Sequence, residues 1–600
     1  MVRTDLLTLR TLLFPRQSIC ERQELYFRAD QGSVWNEAGD YLIVNGTAAF
    51  DTYFNTLPAV KYREYCRLSS LFLRLRLSGS FAVHVYGVNR NEGGLHEQCV
   101  LECSYRTAEE SGVELDLTEA YTGYDSLYFT LTSRGGRLYG GEFAGACPQK
   151  QPVKMAVVIC TFRREQYLLR NHAAICAYLE RSTFFDPETI HFYIVDNGRT
   201  LRREEIETPY FTLLPNDNTG GSGGFTRGYY EAVHSGEAYT HILFMDDDII
   251  LDGDMLLRVA ALLQTRRPEF ASLSVGGTML KASDRITQHE AGAVWDGKRI
   301  HSIGTDCRMV SREAVFDVAY YPRGNYQAWW FYCFPAEWQQ EYGYPLQFFI
   351  KVDDIEYSLR CAGEIAIISG IAVWHDDFDD KYDGFQEYYI KRNELIVTCV
   401  NQQKPYAWYQ LRKLLLSVIK QTVYQRYFLV DLVLRAYDDF LKGWEYFAKT
   451  DTAALNREIM QSCQPLLTDE QLLEQYGVAF DEEKYQLSRT EPENRKIQAL
   501  SGNGYLIPYV FYRKDKDGYA ITDLARCRIV NFYKHKRVLH YDVTRRKGFV
   551  TVQKKWKLYS NLCRVVGKSV KFLIRYPSVR RGFREHLSEL AAFEPKPSSE

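Results

Sequence analysis

The stretch His241–Ile250 reads HILFMDDDII, an apolar run that stops at three consecutive aspartates. A continuous run of large apolar residues is typical of a strand that is buried on both faces of a parallel sheet. Adjacent carboxylates repel one another, so the cluster needs a compensating charge. In α/β folds, ligands bind at the carboxyl ends of parallel strands. The stretch therefore predicts an α/β domain with a ligand site at Asp246, Asp247 and Asp248.

Two strands upstream extend this pattern. Met155–Cys160 is a run rich in Val and Ile that precedes a helical stretch, and Ile190–Gly198 ends in Asp196 and Asn197. Strand, helix and strand, with polar residues at each carboxyl end, is the pattern of a doubly wound sheet. The aspartate cluster then lies where such folds bind nucleotides.

A glycine-rich segment, NDNTGGSGGFTRGYYEAV, covers Asn216–Val233. Its glycines, among them Gly220 and Gly221, allow close approach of the backbone to a ligand. We expect a helix from about Phe225, whose free N–H groups favour an anion. The spacing fits neither a P-loop nor a dinucleotide-binding fingerprint, and a flexible loop is the alternative.

The aspartates have the chemistry of metal ligands. Two carboxylates one residue apart, Asp246 and Asp248, can reach one hard divalent cation, which can also hold the phosphates of a nucleotide. The charge of the cation removes the repulsion between the carboxylates. A solvated acidic turn is the alternative interpretation.

The composition limits the class of protein. The 600 residues are 46% hydrophobic and 25% charged, which predicts several filled cores. The 74 basic and 76 acidic residues nearly cancel, so we expect no nucleic-acid partner. The 14 cysteines are scattered without zinc spacing and indicate free thiols in a reducing cytoplasm. We expect neither a signal peptide nor an anchor at the N-terminus, and we expect no membrane-spanning helix.

The chain divides into three predicted domains. Residues 1–150 alternate apolar and polar positions, as in Leu71–Gly79, and predict an N-terminal β-sandwich that is a structural or sugar-contacting module. Residues 151–400 carry the α/β pattern. Residues 401–600 are predicted to be a C-terminal helical region, because apolar residues recur there at spacings of three and four.

Seven motifs follow one another along the chain: ICTFRR, VDNG, NTGGSGGFTRG, FMDDDI, AWWFYCF, FFIKVDDIEYSLR and VWHDDF. Their order resembles that of inverting family 2 glycosyltransferases, most specifically the polymerising galactofuranosyltransferases of the mycobacterial cell-wall type. The resemblance covers most of the chain, since those enzymes also have an N-terminal β-sandwich and a C-terminal helical region. It implies a catalytic domain with the GT-A fold of nucleotide-diphospho-sugar transferases, which is an α/β fold with a doubly wound sheet.

The resemblance implies an activity and a donor site. The activity is transfer of a sugar, galactofuranose from UDP-galactofuranose, to a lipid-linked glycan in cell wall or capsule polysaccharide biosynthesis. Residues at matching positions are implied to contact the uridine, its ribose or the rest of the donor: Thr161, Arg163, Asp196, Gly220, Gly221 and Asp247.

The resemblance also implies a metal site. Asp246, Asp248 and His375 are implied to hold a divalent metal, Mn or Mg. Two oxygen ligands and an imidazole suit these ions, and the phosphate oxygens of the nucleotide can complete the coordination shell. For His375, a satisfied core histidine is the alternative.

Inversion at an anomeric carbon requires a base that takes the proton of the acceptor hydroxyl. Asp353 and Asp354 lie before a helix, where family 2 enzymes place their acidic pair, and the second acid is implied to be the base. The alternative for either acid is a helix N-cap or an acidic first turn. Trp329 and Trp330 are implied to line the acceptor site, with core packing as the alternative.

The segment Val543–Arg584 contains thirteen Lys and Arg residues and no Asp or Glu. On a helical projection its basic and apolar residues fall on opposite sides. The basic side contains Lys557, Arg564, Lys568, Lys571 and Arg575. The apolar side contains Tyr559, Leu562, Val566, Val570 and Leu573. This pattern predicts an interfacial amphipathic helix that binds anionic lipid, with RNA binding or a solvated helix as alternatives. We therefore expect a cytoplasmic protein that is peripheral on the inner face of the cell membrane.

Other functions remain open at this point. A glycosyltransferase that uses another UDP-sugar has the same motifs. A nucleotidyltransferase acting on a sugar phosphate also uses paired aspartates, although it does not need Asp354 or the tryptophan pair. The non-enzymatic alternative is a glycan-binding scaffold with a decayed site. A homo-oligomer is compatible with the sequence.

Overall fold

The computed structural model describes residues 6–376, 384–404, 406–513 and 518–595. These residues form two compact units. The first contains the described residues of Met1–Tyr344, Tyr357–Asp376 and Phe593–Glu600, and the second contains those of Pro345–Glu356 and Asp377–Ala592. The division at residues 150 and 400 stays a prediction.

The N-terminal part of the first unit is a seven-stranded antiparallel sheet. Its strands are β1 (Leu7–Thr11), β2 (Arg28–Ala29), β3 (Val34–Asn36), β4 (Tyr41–Ala49), β5 (Ser70–Asn91), β6 (Gly94–Asp116) and β7 (Ser126–Ala146), and its helices are α1 (Ala59–Tyr65) and α2 (Thr118–Gly123). The order is β2-β4-β7-β5-β6, with β1 beside β7 and β3 beside β4. The alternating leucines of β5 from Leu71 to Leu77 are buried, as the period of two predicts.

The N-terminal part is the predicted all-β module, and its seven strands share one hydrogen-bonded network. Strands β5, β6 and β7 are 22, 23 and 21 residues long. The register of these strands shifts at bulges, such as the one between Leu77 and Gly79, and the strands continue beyond them.

The remainder of the first unit is the predicted α/β domain. Its strands are β8 (Met155–Thr161), β9 (Ile190–Asp196), β10 (Phe211–Pro215), β11 (His241–Asp246), β12 (Ser274–Lys281), β13 (Thr287–Glu290), β14 (Ala293–Trp295), β15 (Ile300–Ser302), β16 (Cys307–Arg308), β17 (Phe331–Pro335) and β18 (Ile365–His375). Its helices are α3 (Glu165–Leu179), α4 (Arg203–Ile206), α5 (Gly220–His234), α6 (Asp254–Gln264), α7 (Arg312–Asp317) and α8 (Trp338–Tyr342), and α9 (Asp353–Cys361) begins in the second unit.

The main sheet has the order β10-β9-β8-β11-β17-β12-β13-β16, with β18 beside β12. Strands β10, β9, β8 and β11 are parallel, while β17 is antiparallel to its neighbours β11 and β12. The register sets Asp246 opposite Cys160 and Thr161 opposite Asp196. The polar residues that end β8, β9 and β11 therefore share one edge of the sheet, as the sequence predicts.

The glycine-rich segment is the first part of α5. A Cβ atom added at Gly224 would lie 2.2 Å from Sγ of Cys160, and one added at Gly228 would lie 2.3 Å from Cγ1 of Val158. These glycines let the helix pack closely on β8. The helix begins at Gly220, so the predicted start at Phe225 is wrong by a little over one turn.

The second unit is mainly helical. Its helices are α10 (Gln386–Asn401), α11 (Ala407–Val423), α12 (Tyr427–Leu441), α13 (Trp444–Lys449), α14 (Thr452–Gln461), α15 (Asp469–Tyr476), α16 (Glu482–Thr490), α17 (Arg495–Leu500), α18 (Trp556–Glu585) and α19 (Leu587–Leu590). A sheet of order β19-β22-β21-β20 accompanies them, with β19 (Leu467–Thr468), β20 (Ala520–Asp523), β21 (Arg537–Asp542) and β22 (Lys547–Val552). The sequence analysis does not predict this sheet. Within the described residues, no helix combines the length and the hydropathy needed to cross a bilayer.

Candidate active site

The ends of β11 and β18 bring together the three predicted metal ligands. The Nε2 atom of His375 lies 3.0 Å from Oδ1 of Asp248 and 3.7 Å from Oδ2 of Asp246. One ligand atom of each residue can be chosen so that all three lie within 4.8 Å of one another. Asp248 and His375 are buried, and Asp246 is half-buried. Two carboxylates and an imidazole at this spacing fit a divalent cation.

Backbone hydrogen bonds hold this arrangement. The N–H of Ile250 donates to the carbonyl of Trp374 at 2.7 Å, and the N–H of Trp374 donates to the carbonyl of Ile250 at 3.1 Å. This pair joins the turn after the aspartates to the residue before His375. Nδ1 of His375 lies 2.7 Å from the carbonyl oxygen of Asp376. When Nδ1–H donates this bond, Nε2 is left to face the carboxylates or a cation.

The acids control the protonation of His375. Burial alone would lower the pKa of its imidazole, but the hydrogen bond to Asp248 and the charges of Asp248 and Asp246 raise that pKa. The imidazolium is thus favoured as a counter-ion of the acids. A divalent cation, which requires the neutral imidazole, competes with this proton.

The carboxylate of Asp247 contacts the last residue of β8 and a residue shortly after it. Its Oδ2 accepts a hydrogen bond from the hydroxyl of Thr161 at 2.6 Å, and its Oδ1 lies 3.4 Å from Nη1 of Arg164. Burial raises the pKa of Asp247 to about 7, while Thr161 and Arg164 oppose this rise. Asp247 is thus bonded to Thr161, whereas Asp246 and Asp248 lie against His375.

Arg164 is a site residue that the sequence analysis misses. Its Nη1 also forms an ion pair with Asp248, so its positive charge lies against the aspartate cluster. The predicted donor contact is the neighbouring Arg163, which has a φ of +55° and a guanidinium 5.2 Å from the centre of the Phe162 ring. The only sequence signal for Arg164 is that it is the second arginine of ICTFRR.

The carboxylate of Asp196 fixes the loop after β9. It accepts hydrogen bonds from the backbone N–H groups of Gly198, Thr200 and Leu201 at 2.8, 2.7 and 2.8 Å. A Cβ atom added at Gly221 would meet no other atom within 4 Å, so the backbone there is open to a ligand. Contact of the donor with Thr161, Arg163, Asp196, Gly220, Gly221 and Asp247 stays a prediction.

The two adjacent tryptophans lie in the core of the first unit. The indole of Trp329 packs edge-on against Phe225 and Phe244, with ring centres 5.4 and 5.0 Å apart. Trp330 donates from Nε1 to the carbonyl of Gly277 at 2.8 Å. Only 6% of Trp329 and 5% of Trp330 is exposed, so both contribute to packing. Their role in acceptor binding stays a prediction.

The acidic pair follows a strained segment in the second unit. Phe349, Lys351 and Val352 have φ values of +75°, +66° and +72°, in a region that residues with side chains seldom populate. Asp353 and Asp354 then begin α9. Strain of this kind is concentrated at functional sites, where the surroundings must hold it in place.

Two buried side chains of α10 hold this segment. The Nδ2 group of Asn393 donates to the carbonyls of Ile350 and Lys351 at 2.9 and 2.8 Å. Nη2 of Arg392 donates to the carbonyl of Phe348 at 2.9 Å. The sequence analysis does not identify either residue, because nothing in the pattern of an amphipathic helix distinguishes a polar residue that binds a distant backbone.

Asn393→Leu is expected to reduce kcat about tenfold or more, since the segment that precedes the acidic pair loses its support. The unpaired carbonyls also cost about 1–3 kcal/mol of stability. Steady-state kinetics well below the unfolding temperature separate the two effects. Asn456→Leu is the matched control, because Asn456 accepts a bond only from Tyr389 at 3.2 Å among the contacts described. Equal kcat values for the two variants would contradict a positioning role.

The two acids of the pair have different environments. Asp353 is buried, and burial together with the charge of Asp354 raises its pKa to about 8. Asp354 is half-buried, and its Oδ1 accepts the N–H of Ile355 at 2.8 Å. Burial therefore favours the protonated form of Asp353 at neutral pH.

Asp353→Asn is expected to change the pH dependence of stability. Folding raises the pKa of this carboxyl. Its contribution to the free energy of unfolding is therefore complete below its unfolded pKa of about 4 and decreases as the pH rises above that value. That loss runs up to pH 8, the folded value for Asp353. The amide stays neutral, so the variant should be the more stable protein at pH 9, on the order of 1 kcal/mol or more, with little difference at pH 4. Thermal unfolding in metal-free buffer tests this, and parallel pH profiles would contradict it.

Two family models match the first unit. Residues 9–136 match the family described as Galactofuranosyltransferase 2 N-terminal, and residues 156–317 match Glycosyl transferase family 2. The chain carries a glycosyltransferase family 2 domain. Asp246 and Asp248 lie within it, at the carboxyl end of a parallel strand of its α/β sheet. The predictions of a glycosyltransferase and of the GT-A fold are confirmed.

Two curated relatives align with more than half of this glycosyltransferase. Galactofuranosyltransferase GlfT2 of Mycobacterium tuberculosis is 28% identical over 445 residues, which cover 68% of this chain and 67% of that protein. Galactofuranosyltransferase GlfT2 of Mycolicibacterium smegmatis is 29% identical over 436 residues, which cover 66% of this chain and 64% of that protein. The chain thus spans about two thirds of the length of the curated relatives it matches.

Similarity to solved structures is distant. The crystal structure of GalNAc-T7 with UDP, GalNAc and Mn²⁺ has a TM-score of 0.34 and 10% identity, covering 46% of this chain and 52% of that one. The crystal structure of residues 1–349 of TarS from S. aureus has a TM-score of 0.29 and 13% identity, covering 52% of this chain and 91% of that one.

Proposed function

We propose that this glycosyltransferase transfers galactofuranose, with inversion, from UDP-galactofuranose to a lipid-linked cell-surface glycan. The observation that carries the proposal is the cluster of Asp246, Asp248 and His375 at the end of β11. Such a cluster is suited to a donor whose leaving group is a nucleoside diphosphate. The identity of the sugar is supported by the two relatives, which are both named galactofuranosyltransferases.

The donor half of the reaction requires charge compensation. A divalent cation, Mn or Mg, held by Asp246, Asp248 and His375 would neutralise the diphosphate as the nucleotide leaves. Arg164 adds a positive charge next to Asp248, and Thr161 fixes the carboxylate of Asp247 by a hydrogen bond of 2.6 Å. Together these residues bind and orient the donor.

The acceptor half requires a base. Asp354 takes the proton of the acceptor hydroxyl as its oxygen attacks the anomeric carbon, on the face opposite the departing nucleotide. Burial and the charge of Asp354 raise the pKa of Asp353, which favours a proton on Asp353 rather than on the proposed base. One bond forms to the acceptor oxygen, one breaks to the diphosphate, and the configuration inverts.

A donor screen tests the proposal. The full chain is incubated with Mn²⁺, a simple galactofuranoside acceptor and a panel of UDP-sugars, and the products are identified by mass spectrometry. We expect transfer from UDP-galactofuranose with release of UDP. Activity with UDP-galactopyranose but not with UDP-galactofuranose would contradict the proposed donor and show that the enzyme uses another UDP-sugar. Release of pyrophosphate would indicate a nucleotidyltransferase, and glycan binding without any turnover would indicate a scaffold.

Membrane association is part of the proposal, and α18 supports it. Five apolar residues at helical spacing form a stripe along the exposed side of the helix and are between 55% and 74% exposed: Trp556, Tyr559, Val566, Val570 and Ile574. Large apolar side chains on the surface of one helix favour the interface of a lipid bilayer. The stripe includes three residues of the apolar side predicted from the sequence.

The basic side of α18 differs from the expected one. Arg564 forms an ion pair with Asp431 at 2.6 Å, and both Lys568 and Lys571 pair with Asp438 of α12. Part of the predicted lipid-binding charge is therefore neutralised within the second unit. The apolar stripe therefore becomes the main source of membrane affinity in this proposal.

The double variant Val566→Asp, Val570→Asp is expected to weaken binding to vesicles that contain phosphatidylglycerol by about tenfold or more, because each apolar side chain contributes roughly 1.5–3 kcal/mol when fully buried. Co-sedimentation measures this. Leu487→Asp on α16 is the control, since Leu487 is 60% exposed and lies outside the stripe. Equal sedimentation of the double variant and the wild type would contradict docking through α18.

A further inference from the structure

The N-terminal sheet contains a cavity of about 520 Å³. This volume lies in the range of small-ligand sites, about 300–1,000 Å³. No residue that lines it belongs to the candidate active site. Its lining combines residues of β1, β5, β6 and β7 with the segment that follows β1 and with Asp40, which directly precedes β4.

A cross-strand row of charges forms one wall of this cavity. Arg74 of β5 is paired in register with Glu114 of β6 and with Glu142 of β7. Its Nε lies 2.9 Å from Oε2 of Glu114, and its Nη1 lies 3.3 Å from Oε1 of Glu142. The hydroxyl of Thr8 donates to Oε2 of Glu142 at 2.7 Å. The three side chains are thus held in place before a ligand arrives, which reduces the entropy lost on binding.

The charges of the lining balance. Three cations oppose three anions: Arg16, Arg74 and Arg76 against Asp40, Glu114 and Glu142. A site for a nucleotide or a phosphate carries an excess of positive charge. Equal numbers of strong donors and acceptors instead favour a neutral ligand whose groups can both donate and accept, and a hydroxyl group does both.

The cavity also has apolar and aromatic surface. Leu12, Phe14 and Leu75 are among its lining residues, beside two glycines without side chains, Gly140 and Gly141. The ring of Tyr139 also lines it, and its hydroxyl lies 3.1 Å from Oγ of Ser78. A ring with hydroxyl groups at its edge and C–H groups on its faces is complementary to this mixture of surfaces.

We propose that this cavity binds a neutral carbohydrate chain, through sugar residues other than the one being extended. The inference rests on the proposed function, because it makes the bound chain part of the glycan acceptor. When a second site of this kind binds one part of a long acceptor, it raises the effective concentration of the other end at the active site and so increases the affinity. Acceptors too short to reach the second site gain no affinity from it.

Gly112→Trp tests the inference. Gly112 lines the cavity, and a Cβ atom added there would meet no other atom within 4 Å, so the indole fills space without displacing the strand. We expect KM for a long galactofuranoside to rise about tenfold, with kcat unchanged and both constants unchanged for a disaccharide. Arg76→Ala, which removes a cation from the lining and keeps the space, should give a smaller change in the same direction.

Gly123→Trp is the matched control. Gly123 is also exposed, an added Cβ atom would meet nothing within 4 Å, and the residue does not line the cavity. Equal KM values of the Gly112→Trp and Gly123→Trp variants for the long acceptor would overturn the inference.

Direct binding separates this inference from the proposed function. Saturation-transfer NMR is recorded on the full chain in EDTA, without donor, with a panel of neutral oligosaccharides. Signals that are present for the wild type and for Gly123→Trp but absent for Gly112→Trp support the cavity, even when no galactofuranose is transferred. Absence of binding to every oligosaccharide in a wild type that transfers galactofuranose overturns the cavity and leaves the proposed function intact.

Discussion

Asp354→Asn is expected to lower kcat by about 10²–10⁴-fold, the range that a positioned general base contributes. The amide has nearly the size of the carboxylate and cannot take the proton of the acceptor hydroxyl. KM for the donor should change little, because the role assigned to Asp354 concerns the acceptor. Release of UDP in the presence of acceptor measures the effect, and thermal unfolding checks that the variant is folded.

Asp353→Asn is the control for this prediction. Since the protonated form of Asp353 is favoured at neutral pH, the amide mimics that form, and most of the activity should remain at pH 7. An Asp354→Asn variant with undiminished kcat would falsify the assignment of the base. If instead Asp353→Asn caused the larger loss, the roles of the two acids would be reversed.

Asp248→Asn is expected to lower kcat on the order of 10³-fold, because charge stabilisation by a bound cation contributes several kcal/mol to the transition state. The variant should also bind Mn²⁺ more weakly, which electron paramagnetic resonance of free Mn²⁺ detects without any turnover. His375 should lose the hydrogen bond that raises its pKa. EDTA should abolish the activity of the wild type, and added Mn²⁺ should restore it.

Asp306→Asn is the control for the loss of a carboxylate. Asp306 is 64% exposed at its side chain and pairs with Lys281 at 2.6 Å. It is not part of the cluster, so its variant should bind Mn²⁺ and turn over as the wild type does. Activity of the wild type that persists in EDTA, or unchanged Mn²⁺ binding by Asp248→Asn, would contradict the metal site.

The sequence was most informative where the chain is regular. The run before Asp246 predicts a buried strand, because burial on both faces excludes polar residues over its length. His375 was linked to the aspartates by resemblance alone. No local pattern reveals that β18 runs beside β12 and ends at the cluster, since such pairing depends on the whole sheet.

Other features depend on tertiary contacts that a local pattern does not encode. Arg164 and Arg163 are adjacent basic residues, and only the conformation of the backbone decides which one reaches Asp248. The need for a glycine at position 224 follows from the side chain of Cys160, against which α5 packs. The role of Asn393 depends on the carbonyls of a segment more than 40 residues away.

The backbone pair between Ile250 and Trp374 has a consequence for how the protein unfolds. The proposed metal ligands come from β11 with the turn after it and from β18, which are far apart in sequence, so neither segment alone provides the site. A cation that binds only the native arrangement raises the free energy of unfolding by about 2.7 kcal/mol at one hundred times its Kd. The melting temperature should therefore rise with the logarithm of Mn²⁺ concentration, and this slope reports whether β18 is docked. Mn²⁺ titration thus becomes an assay of native structure that needs neither a donor nor an acceptor.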